Sequence, residues 1–204
     1  MAKELNNFSG KETVSLGILR GGIIVADQIA KILAADLDIV LSRKLGAPGN
    51  PELAIGAVSE TGNLFVNQAI ASEVGAEKGY IREEKERQML EISSRIKRFR
   101  EIKPKVSLKD RIAIVTDDGI ATGATMLASL WAIRQENPKK LIAAVPVGAK
   151  DSVEKLAEYA DETIVLRVPV YFGALSQFYI NFSQISDEEV IAVLKQSAKN
   201  EKSS

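Results

Sequence analysis

Two adjacent carboxylates followed by a loop of small residues are the groups in this sequence best suited to chemistry. The stretch IAIVTDDGIATGAT ends an apolar run at Asp117 and Asp118, and then places Thr122, Gly123 and Thr125 in the loop. Carboxylates accept hydrogen bonds from vicinal hydroxyls, whereas hydroxyl groups and backbone amides bind phosphate. The sequence therefore predicts a site for a phosphate monoester that carries a diol nearby.

A strand and a helix must position these groups. Residues 112–115 form a short, β-branched run typical of a buried parallel strand, and residues 126–135 predict a helix. The amides between them would meet at the helix N-terminus, where the helix dipole favours an anion. The predicted phosphate-binding residues are Gly119, Ala121, Thr122, Gly123, Ala124 and Thr125. The alternative is a purely structural turn with an acidic helix cap, which any doubly wound fold can contain.

A second strand–loop–helix unit carries a basic residue and two glycines. Residues 14–19 predict a strand, Arg20, Gly21 and Gly22 a tight loop, and residues 23–34 a helix. Backbone amides beside a guanidinium suit an oxyanion such as pyrophosphate. Two glycines before a helix often mark only a turn. The prediction of an oxyanion site at this loop is therefore supported mainly by the presence of the acidic stretch.

Two cations follow the next predicted strand, residues 37–41. Arg43 and Lys44 precede residues 45–51, whose Gly, Pro and Asn content predicts a loop. Open α/β sheets bind ligands at the carboxyl ends of their strands, so we expect at least one of the two cations to contact pyrophosphate. Two solvated cations are the alternative. Glu60, in the turn of a predicted hairpin, is expected to be an exposed acid.

Composition restricts the chemistry. The 204 residues include 27 basic and 27 acidic side chains, so no overall basic field favours nucleic acid. The absence of Cys and His excludes disulfides, thiol or imidazole catalysis and the usual zinc ligands. A general base would be Asp, Glu, Lys, Tyr or the substrate. No apolar run reaches the roughly 18 residues of a membrane span and no signal peptide is evident, which predicts a cytoplasmic protein.

Two further segments are distinctive. Residues 76–105 predict a long charged helix whose basic end is expected to be solvated, with nucleic-acid contact as the alternative. Residues 170–184 hold five of the chain's ten Phe and Tyr residues. We expect most of these rings to pack a small C-terminal subdomain and one or two to stack on a heteroaromatic base.

Alternation of strands and helices predicts an α/β fold with a doubly wound, mainly parallel sheet and right-handed crossovers. We expect one domain over residues 1–204, with the core at 13–66 and 106–168. The predicted architecture also has a helical insertion at 67–105. A C-terminal segment and helix at 169–198 are expected to form a small hood or C-terminal subdomain.

The central stretch resembles the phosphoribosyl pyrophosphate motif of type I phosphoribosyltransferases: an apolar run, two acids, two apolar or small residues, a variable position, then Thr-Gly-x-Thr. Residues 43–57 and 177–184 are similar to a bacterial and archaeal group of stand-alone phosphoribosyltransferases without an assigned base. The resemblance covers nearly the whole chain, and it implies a reaction class and not a substrate.

The resemblance implies transfer of the 5-phosphoribosyl group from phosphoribosyl pyrophosphate to a nitrogen base, with release of pyrophosphate. Mg²⁺ would bridge the ribose hydroxyls and the pyrophosphate, placed through water by Asp117 and Asp118. The residues implied in catalysis are Arg20, Lys44, Asp117 and Asp118, with Gly21, Gly22 and Arg43 as further substrate contacts. Nucleic acid and membrane are not expected partners, and a homodimer is one option for the assembly.

Two positions depart from related enzymes. The 6-oxopurine enzymes have an Asp where this chain has Ala121, whereas adenine enzymes also have Ala, which points toward an aminopurine. Pyrimidine and non-nucleobase acceptors stay open. Related sequences usually have Pro at Leu19, so the conformation of that loop is open as well. The alternative function is a non-catalytic regulator that senses phosphoribosyl pyrophosphate or nucleotides on the same fold.

Overall fold

The structure, a computed structural model, describes residues 1–10 and 12–202. In chain order the strands are β1 (Thr13–Ile18), β2 (Asp36–Val40), β3 (Ser42–Ala47), β4 (Asn50–Ser59), β5 (Leu64–Val66), β6 (Ile112–Thr116), β7 (Lys140–Val147) and β8 (Glu162–Arg167). The helices are α1 (Gly22–Leu33), α2 (Gln68–Glu73), α3 (Lys78–Arg100), α4 (Ala124–Arg134), α5 (Lys150–Leu156) and α6 (Asp187–Lys202).

A five-stranded parallel sheet with the order β2-β1-β6-β7-β8 forms the centre of the molecule. The predicted α/β class with a mainly parallel sheet is therefore confirmed. Strand order reverses between β1 and β6, which pair from Thr13 with Ile112 to Gly17 with Thr116. The carboxyl ends of two such strands form the crevice in which open α/β sheets bind ligands. The loop at residues 19–21 and the acidic loop both leave the sheet there.

Alternating side chains of the central strands pack against helices on both faces of the sheet. On one face Leu16 and Val115 belong to the same buried cluster as Leu130 of α4. On the other face Ile114 is buried with Ile29 of α1. This alternation is the period-2 pattern of a strand covered on both sides, and it fixes which residues reach the sheet's carboxyl edge.

Strands β3, β4 and β5 form a separate antiparallel sheet, so the prediction of a loop at residues 45–51 is wrong. Only residues 48–49 form the turn between β3 and β4. The pairing register shifts around Gly46, where a Cβ would approach Pro51 to 2.8 Å. A bulge at this point lets the Gly- and Pro-containing segment pair as a strand, which local composition does not reveal.

The basic end of α3 and the residues after it are not all solvated, contrary to expectation. Arg100 binds buried Asp38 of β2 at 2.6 Å, and its guanidinium contacts Glu60 at 2.7 and 2.8 Å. Lys103 is buried as well. The expectation that Glu60 is an exposed turn acid is therefore wrong, because its carboxylate serves as a counter-ion that joins the second sheet to the core.

In the described part of the chain, no helix combines the length and the apolar character needed to cross a membrane.

Candidate functional site

The two acids lie where β6 ends. Thr116 is the last residue of the strand, and Asp117 and Asp118 turn the chain away from the sheet. The amide of Asp118 donates to the Asp117 carboxylate at 2.9 Å. Both acids border a cavity of about 180 Å³ together with the loop that leads to α4. The acids and the loop therefore share one ligand-sized space.

Burial raises the pKa of Asp117 to about 7, and the neighbouring Asp118 carboxylate adds to the effect. Burial also raises the pKa of Asp118. Burial is the largest cause of both shifts, because removal from water disfavours the charged form of a carboxyl group. A ligand or metal that brings positive charge or hydroxyl donors would favour the ionised pair.

The loop at Arg20, Gly21 and Gly22 lies directly against the acidic pair. A Cβ on Gly21 would come within 2.2 Å of Asp118 Oδ2, which only a glycine avoids. A Cβ on Gly22 would approach Asp117 Oδ1 to 3.2 Å. The structure thus brings together the two loops that the sequence places almost a hundred residues apart.

Residues 121–125 form an open cradle of backbone amides before α4. Gly123 has φ +78°, a left-handed conformation that side chains disfavour, and it caps the helix without a side-chain hydrogen bond. Among the described residues, no acceptor receives a hydrogen bond from the amides of residues 121–125. Thr122 and Thr125 border the same cavity. Unpaired amides at a helix N-terminus suit a phosphate.

The peptide bond between Leu19 and Arg20 is cis, although residue 19 is not the proline that related sequences usually have there. The Arg20 guanidinium does not contact the acidic pair. Arg20 Nη1 lies 3.8 Å from Asp187 Oδ1, at the start of α6. Arg20 is therefore beside the site, held by a residue that the sequence did not single out.

Arg43 and Lys44 follow the end of central strand β2 at Val40, as expected, but they lie within β3 of the second sheet and not in a loop. Lys44 pairs with Glu52 at 2.9 Å, and Arg43 pairs with Glu91 of α3. Both cations border a cavity of about 250 Å³ that also includes Thr125 of the amide cradle. Through this cavity they adjoin Thr125, and both already have carboxylate partners.

The segment between β8 and α6 covers the acidic loop, a role that sequence reasoning missed. The Tyr179 hydroxyl donates to the backbone carbonyl of Asp118. Leu175 borders the acidic cavity and packs where a Cβ on Gly119 would stand, at 2.1 Å. Burial raises the pKa of Tyr179 to about 12, so the hydroxyl keeps its proton for this bond. The aromatic cluster was the available signal, but nothing local shows what it contacts.

The other rings of this segment do not form the expected subdomain core. Tyr171 is 81% exposed and Phe182 is 46% exposed. Phe172 and Phe178 contact each other with ring centroids 5.4 Å apart. Tyr179 and Phe182 form a second pair, with ring centroids 5.3 Å apart. Four of the five rings therefore pack in pairs, although none of the five is fully buried.

Within the described residues, no group of three or more Asp, Glu, His or Cys side chains is placed to bind a metal ion. The pair Asp117 and Asp118 is still a fitting donor set for Mg²⁺, which often uses one or two carboxylates together with waters and substrate phosphates. Burial raises the pKa of both carboxyl groups, and a divalent cation would favour their ionised form.

A family model described as "Phosphoribosyl transferase domain" matches residues 1–173. Two Mycobacterium tuberculosis proteins, from strains H37Rv and CDC 1551, are 42% identical over 194 residues, or 95% of this chain. Both carry the name "Putative phosphoribosyl transferase", and the chain spans 44% of their length.

A solved structure is similar over nearly all of the fold. TT1426 from Thermus thermophilus is 40% identical, with a TM-score of 0.90, and the match covers 96% of this chain and 92% of that one. The family match, the parallel sheet and the paired loops at its switch point agree with one another. The chain belongs to the phosphoribosyl transferase domain family.

Proposed function

We propose that this protein transfers the 5-phosphoribosyl group from phosphoribosyl pyrophosphate to a nitrogen base and releases pyrophosphate. One observation carries the proposal: at the switch point of the sheet, the acidic pair lies against the Gly21 loop and opens onto the amide cradle of residues 121–125. A diol, a phosphate monoester and a diphosphate are the groups that these three surfaces suit.

Each part of the donor has a proposed partner. Asp117 and Asp118 accept hydrogen bonds from the ribose hydroxyls, and the amides of 121–125 hold the 5′-phosphate with Thr122 and Thr125. The diphosphate group is proposed to bind on a diphosphate side formed by Arg20, Gly21, Gly22, Arg43 and Lys44. The leaving group departs from the anomeric carbon as positive charge develops on the sugar, so no protein nucleophile is needed. Positioning and stabilisation of the departing charge supply the rate enhancement.

Mg²⁺ would be held by Asp117 and Asp118 through water, and when bound it neutralises diphosphate charge and orients the ribose hydroxyls. The two carboxylates also keep the ribose fixed against the Gly21 loop. Their ionised form is required for both tasks, so binding should strengthen as the pH rises through about 7, the pKa of Asp117.

The acceptor belongs to this proposal as well. Ala121 borders the acidic cavity, and its carbonyl accepts a hydrogen bond from Ser152 Oγ at 2.6 Å. An alanine at this position cannot exchange a proton with a 6-oxopurine, which favours an aminopurine over other acceptors. The cytoplasmic location and the option of a homodimer remain predictions.

Calorimetric binding of phosphoribosyl pyrophosphate to the double variant Asp117→Asn/Asp118→Asn tests the proposal. Loss of charge-assisted hydrogen bonds costs about 1.5–3 kcal/mol each, so we expect binding to disappear while the fold survives. Unchanged affinity in a folded double variant would refute the site. Nucleoside 5′-monophosphates should also compete much better than nucleosides, and equal competition would mean that residues 121–125 do not bind phosphate.

A turnover assay separates the enzyme from the regulator. Pyrophosphate release is measured with phosphoribosyl pyrophosphate, Mg²⁺ and a panel of bases that begins with aminopurines. Release with one base identifies the acceptor. Binding of the donor without release under any acceptor would favour the sensing regulator.

A further inference from the structure

Three arginines converge on one carboxylate beside the Gly21 loop. Arg20 Nη1 lies 3.8 Å from Asp187 Oδ1, whereas Arg95 Nε and Arg98 Nη1 lie 3.4 and 3.9 Å from Asp187 Oδ2. Arg95 and Arg98 come from α3, and Asp187 is the first residue of α6. Three elements that are distant in sequence therefore meet at one point next to the proposed diphosphate side.

Asp187 is a weak partner for so much positive charge. Its Oδ1 atom is buried and accepts no hydrogen bond from the described residues, and all three ion-pair distances exceed 3.3 Å. By contrast, Arg100 contacts Asp38 at 2.6 Å. Contacts of this length form at most weak hydrogen bonds, so Asp187 does not fully satisfy the three guanidinium groups.

The carboxylates near the three arginines do not neutralise their positive charge. Arg98 also binds Glu188 at 2.8 Å, but within the described residues Arg20 and Arg95 have no other carboxylate. Three positive charges thus face two negative ones. Guanidinium groups match phosphate oxygens in a forked geometry, and a diphosphate carries more negative charge than a carboxylate.

We propose that Arg95 and Arg98 join Arg20 in a three-arginine subsite for the diphosphate group, and that Asp187 is the internal counter-ion that the diphosphate replaces. This inference rests on the proposed function, because it assumes that the loop at Arg20 faces the diphosphate. It adds residues of α3 and α6 to a site otherwise built from the ends of β1 and β6. Binding would thereby release α6 from its contact with Arg20.

The test compares inorganic pyrophosphate binding to Asp187→Asn and Glu188→Gln by calorimetry, with and without Mg²⁺. Both variants remove one acidic charge from the first turn of α6, but Glu188 contacts Arg98 and not Arg20. We expect Asp187→Asn to tighten binding by about twofold to fivefold, the range that a partly exposed ion pair allows, and Glu188→Gln to change it less. Unchanged or weaker binding in Asp187→Asn would overturn the counter-ion role.

Arginine variants test the subsite separately from the proposed function. Arg95→Gln and Arg98→Gln should each weaken pyrophosphate binding by about twofold to fivefold. Full affinity in both variants would overturn the three-arginine subsite. Arg20→Gln should weaken it more, and if only Arg20→Gln had no effect, the assignment of Arg20 under the proposed function would fail instead. Denaturant midpoints of all variants confirm that each protein is folded.

Discussion

At the scale of single residues, Asp117 shows how the proposed binding site costs stability. Folding places its carboxyl group beside a second carboxylate in a partly enclosed cavity, and burial raises its pKa to about 7. A raised pKa means that the folded state favours the neutral acid. The contribution of the Asp117 carboxyl group to stability is fully present below its ordinary pKa of 3.8. It is lost as the pH rises through about 7, where the carboxyl group of the folded protein ionises.

We therefore expect Asp117→Asn to raise the melting temperature at pH 8, with a gain that vanishes near pH 4. The linkage sets an upper limit of about 1.4 kcal/mol per pH unit over this interval. Asp161→Asn is the control with the opposite sign, because Arg134 lowers the pKa of Asp161 and that carboxylate stabilises the fold when ionised. Calorimetric scans from pH 4 to pH 8 test both. A gain for Asp117→Asn that is equal at all pH values would contradict the shift.

At the scale of an element, the loop before α4 depends on one backbone conformation. Gly123 has φ +78°, and a Cβ there would lie 3.4 Å from Ser152 Cβ. At the start of this 11-residue helix, the same left-handed turn leaves the amides of residues 121–125 without acceptors among the described residues. A change of backbone at this position should thus disturb binding more than the loss of one hydroxyl.

We expect Gly123→Val to weaken phosphoribosyl pyrophosphate binding more than Thr122→Ala. Valine at positive φ costs roughly 1–2 kcal/mol and reorients the amides, whereas Thr122→Ala removes one donor worth about 0.5–1.5 kcal/mol. Gly62→Val is a matched control, since Gly62 has φ +79° in open space in the β4–β5 turn. Calorimetry should show normal binding for Gly62→Val despite its strain. Equal losses for Gly123→Val and Thr122→Ala would argue against an amide cradle.

At the scale of the whole molecule, a buried ion network joins the two sheets. Arg100 at the end of α3 contacts Asp38 of the central sheet and Glu60 beyond β4, and Lys105 contacts Glu60 at 3.4 Å and Glu136 at 2.7 Å. The network fixes the second sheet, and with it the two cations of β3, relative to the acidic loop.

Removal of Arg100 should uncouple this arrangement. We expect Arg100→Met to destabilise the fold by about 3–5 kcal/mol, because it leaves buried Asp38 without its cation and Glu60 with only the longer contact to Lys105. Arg134→Met, which breaks a paired contact to Asp161 at 3.0 Å on the surface, should cost about 1 kcal/mol or less. Urea unfolding measures both, and similar midpoints for the two variants would show that the network is not a stabilising link.

The sequence by itself determined the central sheet and the acidic loop at its switch point. The β6 strand, the Asp117–Asp118 pair, the Gly123 loop and α4 are continuous in the chain, so short-range periodicity and turn chemistry define them. The alternation of strands and helices then gives the parallel topology, since right-handed crossovers leave few alternatives. These features were predictable because each depends on residues close together in sequence.

Tertiary structure alone decided what surrounds that centre. Three contacts join distant segments: Glu60 binds Arg100, the Tyr179 hydroxyl binds Asp118, and Arg20 lies against Asp187. The pairing of β3 with β4 is local but depends on a bulge. A turn acid and a buried counter-ion have the same local sequence, and a strand that contains Gly and Pro resembles a loop until a bulge and a partner strand satisfy its backbone. Only the packing of the whole chain supplies those partners.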